Sequence, residues 1–380
     1  MFKAIGIALL LCIALVKSGP LRAQQGPLIH YQQGNGFPGY NAYYMVQDKA
    51  GYIWIGTENG LARFNGYEFK LFTSRDGLPD NEILEMTEDD SNRLWFLPFS
   101  NALGYIKNGM IYNKDNDSLL KQLHFDTRPL SVLSDRFGNI MIAEHAQVTC
   151  ITQTGQIKYF PYKSPLIQNS IFICKAANGS IHLMDSAGAL FEYNNTKWVK
   201  RAQLPPVDQR VCRYVVSSLG LDSAMVFLNK LLKSKEPAYF DKTELVKINF
   251  IVPLYPGKLA ILRKDGCFVV DIASTRITDT FLYGYSIARS TITSDHSLWI
   301  CTHGHGIFRF IQSPVKSIHL PSGPSSVGYI RGGKDGIYAT FEKGGYIRAQ
   351  VDQQGTLLNQ SFKELQPRES FTYLGKVLGG

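Results

Sequence analysis

Two histidines near the C-terminal end of the chain have the type and spacing that metal or ligand binding requires. His303 and His305 lie two residues apart in a glycine-flanked turn, so on one strand their rings would face the same side and could bind a metal ion. No third metal ligand is identifiable from the sequence. The equivalent turn of an earlier repeat carries Glu58 and Asn59, which favours solvated turn residues, with a ligand contact as the second interpretation. We predict no metal site and no cofactor.

Polar and aromatic residues at the start of the first two repeats are further candidates. Asp80 and Asn81 follow a Gly-Leu-Pro turn and would lie just before an innermost strand, at the entrance to a channel. Tyr43 belongs to a tyrosine cluster at the start of the first such strand, where a ring could stack on a sugar, although packing explains it better. The candidate ligand-binding residues are therefore Asp80, Asn81, Tyr43, His303 and His305.

Recognised catalytic motifs are missing from the sequence. It contains no phosphate-binding Gly-x-x-x-x-Gly-Lys-Ser/Thr loop and no Gly-x-Ser-x-Gly turn between a strand and a helix. Acidic residues between Asp80 and Asp90 could in principle pair for glycoside hydrolysis, but Asp89 is better explained as a turn residue. We therefore predict no catalytic residue.

A repeat of short strands positions these candidates. From Asp48 to Gly66 the sequence predicts two strands joined by tight turns, with Trp54 six residues after the aspartate. The same spacing separates Asp89 from Trp95, and further units follow at intervals of 35 to 46 residues. The repeat anchors are the tryptophans that would fill the wedge between units and the glycines of the turns: Trp54, Trp95, Trp299, Gly51, Gly138 and Gly179.

The period of the repeat predicts an all-β fold, a β-propeller of four-stranded blades. We predict seven blades within residues 24–315, with a strand from the first residues of that range closing the ring. One degenerate unit is centred near Met225, and we interpret the helix-like stretch from Ser223 to Lys235 within it as strand, loop and strand. Residues 316–380 are predicted to be a linker and the first blade or blades of a second, incomplete propeller.

Composition and the N-terminus indicate an exported protein. Residues 1–23 are predicted to be a signal peptide, because a lysine precedes an apolar run, Ala4–Val16, that is too short for a membrane span. The net charge of +9 is mild for 380 residues and includes no basic run, so nucleic acid is not implied. The five cysteines beyond the signal are far apart, which predicts buried apolar residues instead of a zinc site or a disulfide framework.

Three stretches resemble the two-component-regulator propeller repeat. They are the run from Ile53 to Phe64, the Asp-Gly-Leu-Pro-Asp-Asn segment from Asp76 to Asn81, and the run from Trp299 to Phe310. That family forms the periplasmic sensor region of membrane histidine kinases and hybrid two-component systems of Bacteroidetes-type bacteria. In the family two propellers are often followed by a β-sandwich, a membrane helix and a cytoplasmic kinase. The resemblance therefore implies a kinase outside this sequence, and we predict that the chain is a fragment of a longer protein or a truncated gene product.

The resemblance predicts a periplasmic ligand-sensing propeller that is not itself an enzyme, with carbohydrate-derived ligands. The partners it implies are an oligosaccharide or other small ligand, a downstream membrane kinase module and a second copy of the chain in a homodimer. Two alternatives remain open at this point: an exported propeller enzyme acting on polysaccharide, a lyase or glycosidase, and a non-catalytic platform for protein interactions.

Overall fold

The structure is a computed structural model that describes residues 28–162, 171–205, 209–233, 247–255 and 257–311, and four strands between residues 327 and 363. The chain divides into two compact units, one of which is Ile29–Arg309. The predicted signal peptide and residues 316–326 of the predicted linker lie outside the described residues.

The first unit is built mainly from short antiparallel strands. Its first strands are β1 (Leu28–Tyr31), β2 (Ala42–Gln47), β3 (Ile53–Thr57), β4 (Leu61–Phe64), β5 (Phe69–Phe72), β6 (Ile83–Glu88), β7 (Leu94–Pro98), β8 (Gly104–Lys107) and β9 (Met110–Tyr112). After the short helix α1 (Ser118–Lys121) come β10 (Ser131–Ser134), β11 (Ile140–Ala143), β12 (Gln147–Ile151), β13 (Ile157–Pro161), β14 (Phe172–Lys175), β15 (Ile181–Met184), β16 (Ala189–Tyr193) and β17 (Trp198–Gln203). Two helices, α2 (Gln209–Leu219) and α3 (Leu221–Lys233), precede β18 (Ile248–Tyr255), β19 (Lys258–Arg263), β20 (Gly266–Asp271), β21 (Ile277–Phe281), β22 (Ser286–Ile292), β23 (Leu298–His303) and β24 (Ile307–Phe310).

These strands form six four-stranded sheets arranged as the blades of a propeller. Blades 1 to 5 are β2–β5, β6–β9, β10–β13, β14–β17 and β18–β21, and blade 6 combines β22–β24 with β1. The first strand of each blade is innermost, and the innermost strands follow one another in chain order around a ring that a helix completes between β14 and β18. The all-β propeller is therefore confirmed.

The N-terminal strand closes the ring, as the sequence predicts. Strand β1 pairs with β24 as the outermost strand of blade 6. The rings of Tyr31 and Trp299 stack with their centroids 5.6 Å apart, and Tyr31 also meets Phe64 of blade 1 edge-on at 5.3 Å. Closure leaves fewer free sheet edges, which are sites of unwanted pairing.

The prediction of seven blades is wrong, because the seventh position in the ring is helical. Helix α2 packs between β14 and β18, the innermost strands of blades 4 and 5, and α3 packs against α2. The unit predicted near Met225 is therefore not a blade, and the described part of the stretch from Ser223 to Lys235 belongs to α3. Its buried residues recur at helical spacing, as Ala224, Phe227, Leu228 and Leu231 show.

The three anchor tryptophans are core residues between blades, as predicted. Trp54, Trp95 and Trp299 are at most 4 % exposed. Each packs against the following blade: Trp54 against blade 2, Trp95 against blade 3 and Trp299 against blade 1. The indole N–H groups of Trp54 and Trp95 donate to Asp48 and Asp89, at 2.6 and 2.8 Å. This bond explains the six-residue spacing between aspartate and tryptophan.

The anchor glycines form the tight turns predicted for them. Gly51, Gly138 and Gly179 have φ angles of 92°, 78° and 78°, in the left-handed region that residues with a side chain rarely adopt. The amide N–H of Gly51 donates to the carbonyl oxygen of Asp48 at 2.9 Å, which closes the turn between β2 and β3. These glycines therefore have a structural role.

The second unit contains one described sheet. Strands β25 (Val327–Gly333), β26 (Gly336–Phe341), β27 (Tyr346–Val351) and β28 (Leu357–Lys363) pair in sequence order and are antiparallel. This sheet has the strand order of a propeller blade, while a second propeller remains a prediction. No described helix is long and apolar enough to cross a membrane, and the five cysteines beyond residue 27 are buried, as predicted.

A buried histidine makes the stability of the ring dependent on pH. His182 on β15 is 4 % exposed, and burial lowers its pKa below 6.5, although the Glu192 carboxylate opposes this shift. The folded state therefore keeps His182 neutral while the unfolded chain binds a proton below pH 6.5. We expect the free energy of unfolding to fall with decreasing pH in this window, by up to about 1.4 kcal/mol per pH unit.

Urea unfolding between pH 8 and pH 5 checks this expectation. The loss of stability on acidification should be smaller in His182→Leu than in the unchanged protein. His124→Gln is the matched control, because the His124 side chain is 84 % exposed. Equal pH dependence of the three proteins would contradict the role of His182.

Candidate functional site

All five candidate ligand-binding residues lie on one face of the propeller, which we call the upper face. It carries the starts of the innermost strands and the turns between the second and third strands of each blade. Tyr43 is the second residue of β2, and Asp80 and Asn81 lie two to three residues before the first residue of β6. His303 ends β23, and His305 lies in the turn that leads to β24. The topology of the blades thus places these distant residues on the same face.

Two of the candidates meet at the mouth of the ring. The rings of Tyr43 and His303 are 5.8 Å apart between centroids. Burial, together with the nearby Glu82 carboxylate, raises the pKa of Tyr43 to about 12. Burial and the charge of Lys264 lower the pKa of His303, which favours its neutral form. We call Tyr43, Glu82 and His303 the mouth cluster.

Asp80 and Asn81 are engaged in the loop that connects blades 1 and 2. The carboxylate of Asp80 accepts the backbone N–H groups of Glu82 at 3.2 Å and of Ser100 at 3.1 Å. The side-chain oxygen of Asn81 accepts the N–H of Ser74 at 2.8 Å. These bonds give both residues a structural role, and contact with a ligand stays a prediction.

His305 lies next to the mouth cluster but contacts different residues. Its ring meets the Tyr285 ring edge-on at 4.9 Å, and its carbonyl oxygen bonds to Nε2 of His30 at 2.7 Å. Within the described ranges, no group of three or more His, Cys, Asp or Glu residues could hold a metal ion.

Three exposed aromatic rings also lie on the upper face. Tyr40 precedes β2, Phe99 follows β7 and Tyr283 precedes β22, with 57 %, 54 % and 78 % of their surface exposed. The Arg128 guanidinium lies 4.9 Å from the centre of the Phe99 ring. We call Tyr40, Phe99 and Tyr283 the aromatic rim. Of these, Tyr40 belongs to the tyrosine cluster recognised in the sequence. Sequence reasoning missed Phe99 and Tyr283, because neither exposure nor shared position can be read from single aromatic residues in loops.

The channel inside the ring contains a second set of polar residues. A cavity of about 540 Å³ lies between the innermost strands and α2. Its charged lining residues are Glu85, Lys175, Arg213 and Arg289, none of which the sequence predicts as a site. Arg213 could not be found, because it lies in the segment predicted as a degenerate blade.

The repeat predicted from the sequence is confirmed by a family match. Residues 36–59 match the family model described as the two component regulator propeller. This segment covers the approach to blade 1, strands β2 and β3 and the start of the following turn. No curated protein matches the chain in sequence.

The solved structures similar to the chain include two with TM-scores above 0.5. The extracellular domain of BT4673 from B. thetaiotaomicron, assigned to a one-component system, is 16 % identical with a TM-score of 0.53, and the match covers 90 % of this chain and 48 % of that one. A streptogramin B lyase is 12 % identical with a TM-score of 0.54, over 75 % of this chain and 97 % of the lyase. At these identities the likeness shows the fold alone, and this chain spans about half of the BT4673 domain. The described part of the unit Ile29–Arg309 is thus a six-bladed propeller, and residues 36–59 carry the two-component-regulator propeller repeat.

Proposed function

We propose that this chain is the ligand-sensing propeller of a two-component signal transduction protein, exported to the periplasm. The observation that carries the proposal is the upper face, which carries both the mouth cluster and the aromatic rim. The repeat match supports the signalling context, and the extracellular location of the BT4673 domain fits an exported propeller. The kinase would lie outside this sequence.

The residues of the upper face suit a carbohydrate. The rim offers three exposed rings, which are flat apolar surfaces for the apolar faces of sugar rings. The mouth cluster adds the Tyr43 hydroxyl, the Glu82 carboxylate and the neutral His303 ring as hydrogen-bond partners for sugar hydroxyls. A mostly apolar surface with a few placed polar groups is the usual composition of a small-molecule site.

Thermal unfolding of the full chain against a panel of oligosaccharides tests the proposal. A ligand at one hundred times its dissociation constant stabilises the folded state by about 2.7 kcal/mol. The shift should weaken in Tyr283→Ser and Phe99→Ser. Tyr67→Ser is the matched control, because Tyr67 is 95 % exposed in the turn between β4 and β5, on the opposite face.

Each outcome separates the proposed function from its alternatives. Stabilisation that depends on the rim and leaves the sugar intact supports sensing. Breakdown of the bound sugar, lost in His303→Ala, would favour the exported enzyme instead. If no oligosaccharide stabilises the protein, or if the rim variants behave like Tyr67→Ser, the carbohydrate proposal is overturned and the interaction platform is favoured.

A further inference from the structure

The cavity in the channel has the size of a small-molecule site. Its volume of about 540 Å³ lies within the range of about 300–1,000 Å³ that is usual for ligand pockets. It is lined by side chains from the innermost strand of every blade and from α2. The cavity is therefore bordered by all seven positions of the ring.

Cations outnumber carboxylates in the lining of this cavity. Lys175, Arg213 and Arg289 line it, and Glu85 is the carboxylate among its described lining residues. Nη2 of Arg289 lies 3.7 Å from Oε1 of Glu85, so these two charges largely neutralise each other. Two positive charges remain.

Glu85 is already satisfied and does not need a further partner. It is 8 % exposed, and its carboxylate accepts the hydroxyl of Ser131 and the backbone N–H of Val132, both at 3.1 Å. With Arg289 beside it, this carboxylate is held in place and is committed to the protein.

The other two cations have polar partners but lie outside ion-pair distance of the described carboxylates. Arg213 donates from Nη2 to the Tyr214 hydroxyl at 2.7 Å, and Lys175 donates from Nζ to the Ser134 hydroxyl at 3.0 Å. Over the described part of the chain, neither forms an ion pair with a carboxylate within 4.0 Å. Both side chains are half-buried, and burial lowers the pKa of Lys175, although the charges of Asp90 and Asp135 oppose this shift. A partly buried cation without an ion-pair partner is costly, and an anion in the cavity would offset that cost.

Aromatic rings hold the two guanidinium groups in fixed positions. The Arg213 guanidinium carbon lies 4.6 Å from the centre of the Tyr214 ring and 5.2 Å from that of Phe172. The Arg289 guanidinium carbon lies 3.9 Å from the centre of the Phe250 ring. Stacking of this kind leaves the guanidinium edge available for two parallel hydrogen bonds to a carboxylate or sulfate.

From these contacts we infer that the channel cavity binds the acidic group of a sugar ligand, a carboxylate or a sulfate ester, through Arg213 and Lys175. The sugar part of this inference rests on the proposed function, whereas the anion site rests on the cavity alone. The carboxylate or sulfate would approach the edge of the Arg213 guanidinium, and the sugar ring would lie against the aromatic lining.

Calorimetric titration of the full chain with three matched probes tests the inference. D-glucuronate carries a carboxylate, glucose 6-sulfate carries a sulfate ester, and glucose is the neutral counterpart. We expect at least one acidic probe to bind at least about tenfold more tightly than glucose, because a hydrogen bond to a charged group commonly contributes that factor. Whichever acid binds better identifies the acidic group.

Charge-removing variants locate the site. Arg213→Gln should weaken binding of the acidic probe about tenfold or more. Arg213→Lys keeps the charge but lacks the planar guanidinium, so its affinity should lie between those of the unchanged protein and Arg213→Gln. Arg201→Gln is the matched control, because Arg201 is a half-exposed surface cation that pairs with Glu192. If Arg213→Gln does not fold, Arg213→Lys and Lys175→Gln carry the test.

The outcomes separate this inference from the proposed function. Binding of neither acid, or equal binding by Arg213→Gln and Arg201→Gln, overturns the channel site. Binding of neutral oligosaccharides that requires the aromatic rim but not Arg213 would support the proposed function and overturn the inference. Acid binding that depends on Arg213 but not on Phe99 or Tyr283 would support the channel site and overturn the role of the rim.

Discussion

Replacing Trp95 with alanine is expected to lower the free energy of unfolding by about 3–5 kcal/mol. The Trp95 side chain is fully buried, in a cluster that joins Leu97 of its own blade to Val132 and Ile142 of blade 3. Alanine would leave a cavity at this junction, and two rigid sheets cannot close it without shifting relative to each other. Equilibrium unfolding in urea, followed by circular dichroism, measures the change.

Two further variants separate the packing of the indole from its hydrogen bond. Trp95→Phe removes the bond to Asp89 and keeps most of the volume, and Asp89 retains its 2.6 Å ion pair with Arg93. We therefore expect a smaller loss than in Trp95→Ala. Trp198→Ala is the matched control, because Trp198 lies half-buried on β17, the outermost strand of blade 4. Equal destabilisation by Trp95→Ala and Trp198→Ala would contradict the role of Trp95 as a wedge between blades.

Removing the closing strand β1 is expected to destabilise the ring to a similar extent, by roughly 4 kcal/mol. A hydrogen bond of the strand ladder contributes about 1 kcal/mol, and an aromatic pair about 0.5–1.5 kcal/mol. Deletion of residues 28–31 removes the ladder to β24 together with the stacking of Tyr31 on Trp299 and of His30 on Phe308. A lower melting temperature and exposure of the β24 edge should follow.

A peptide supplied in trans shows whether the loss comes from the missing strand. The deleted protein presents an unpaired edge, to which an extended peptide can add as a strand. A peptide of residues 26–35 should restore the melting temperature, and the same peptide with Tyr31→Ala should restore less of it. If the variant without residues 28–31 is as stable as the unchanged protein in the absence of peptide, the pairing of β1 contributes nothing to the stability of the ring.

The regular part of the fold could be predicted from the sequence because its signals are local. The spacing from Asp48 to Trp54 reflects one turn and one hydrogen bond, and it repeats from Asp89 to Trp95. Closure by the first residues could be predicted because a ring must pair its ends. These features depend on residues close together in the chain or on a general property of propellers.

The helical position in the ring could not be predicted from the repeat. The repeat pattern predicted strands around Met225, whereas the buried residues Ala224, Phe227 and Leu228 follow the spacing of a helix. Helix α2 fills the gap because Ser217 and Ser218 donate to the carbonyl oxygens of Lys175 and Ile251 on the flanking strands, at 2.7 and 3.0 Å. Such contacts depend on distant strands, which a single sequence does not place.

The candidate site was predictable only in part, for the same reason. Tyr43 and His303 could each be chosen by residue type and by position in the repeat, but their contact requires blade 6 to meet blade 1. Glu82 completes the mouth cluster, but in the sequence it is one of several acidic residues between Asp80 and Asp90 without a distinguishing feature. The charged channel depends on α2, so it could not be predicted without that helix.

The pairing of β1 with β24 also sets the order in which the protein can finish folding. In a chain made from its N-terminus, β1 is the first strand of the ring to emerge and the last to find its partner. The bond between His30 and His305 joins residues 275 positions apart, and contacts this distant form slowly because a long loop must close first. Until β24 has been synthesised, β1 remains an unpaired strand that other chains could capture. The earliest part of the ring is thus its most vulnerable part during biosynthesis.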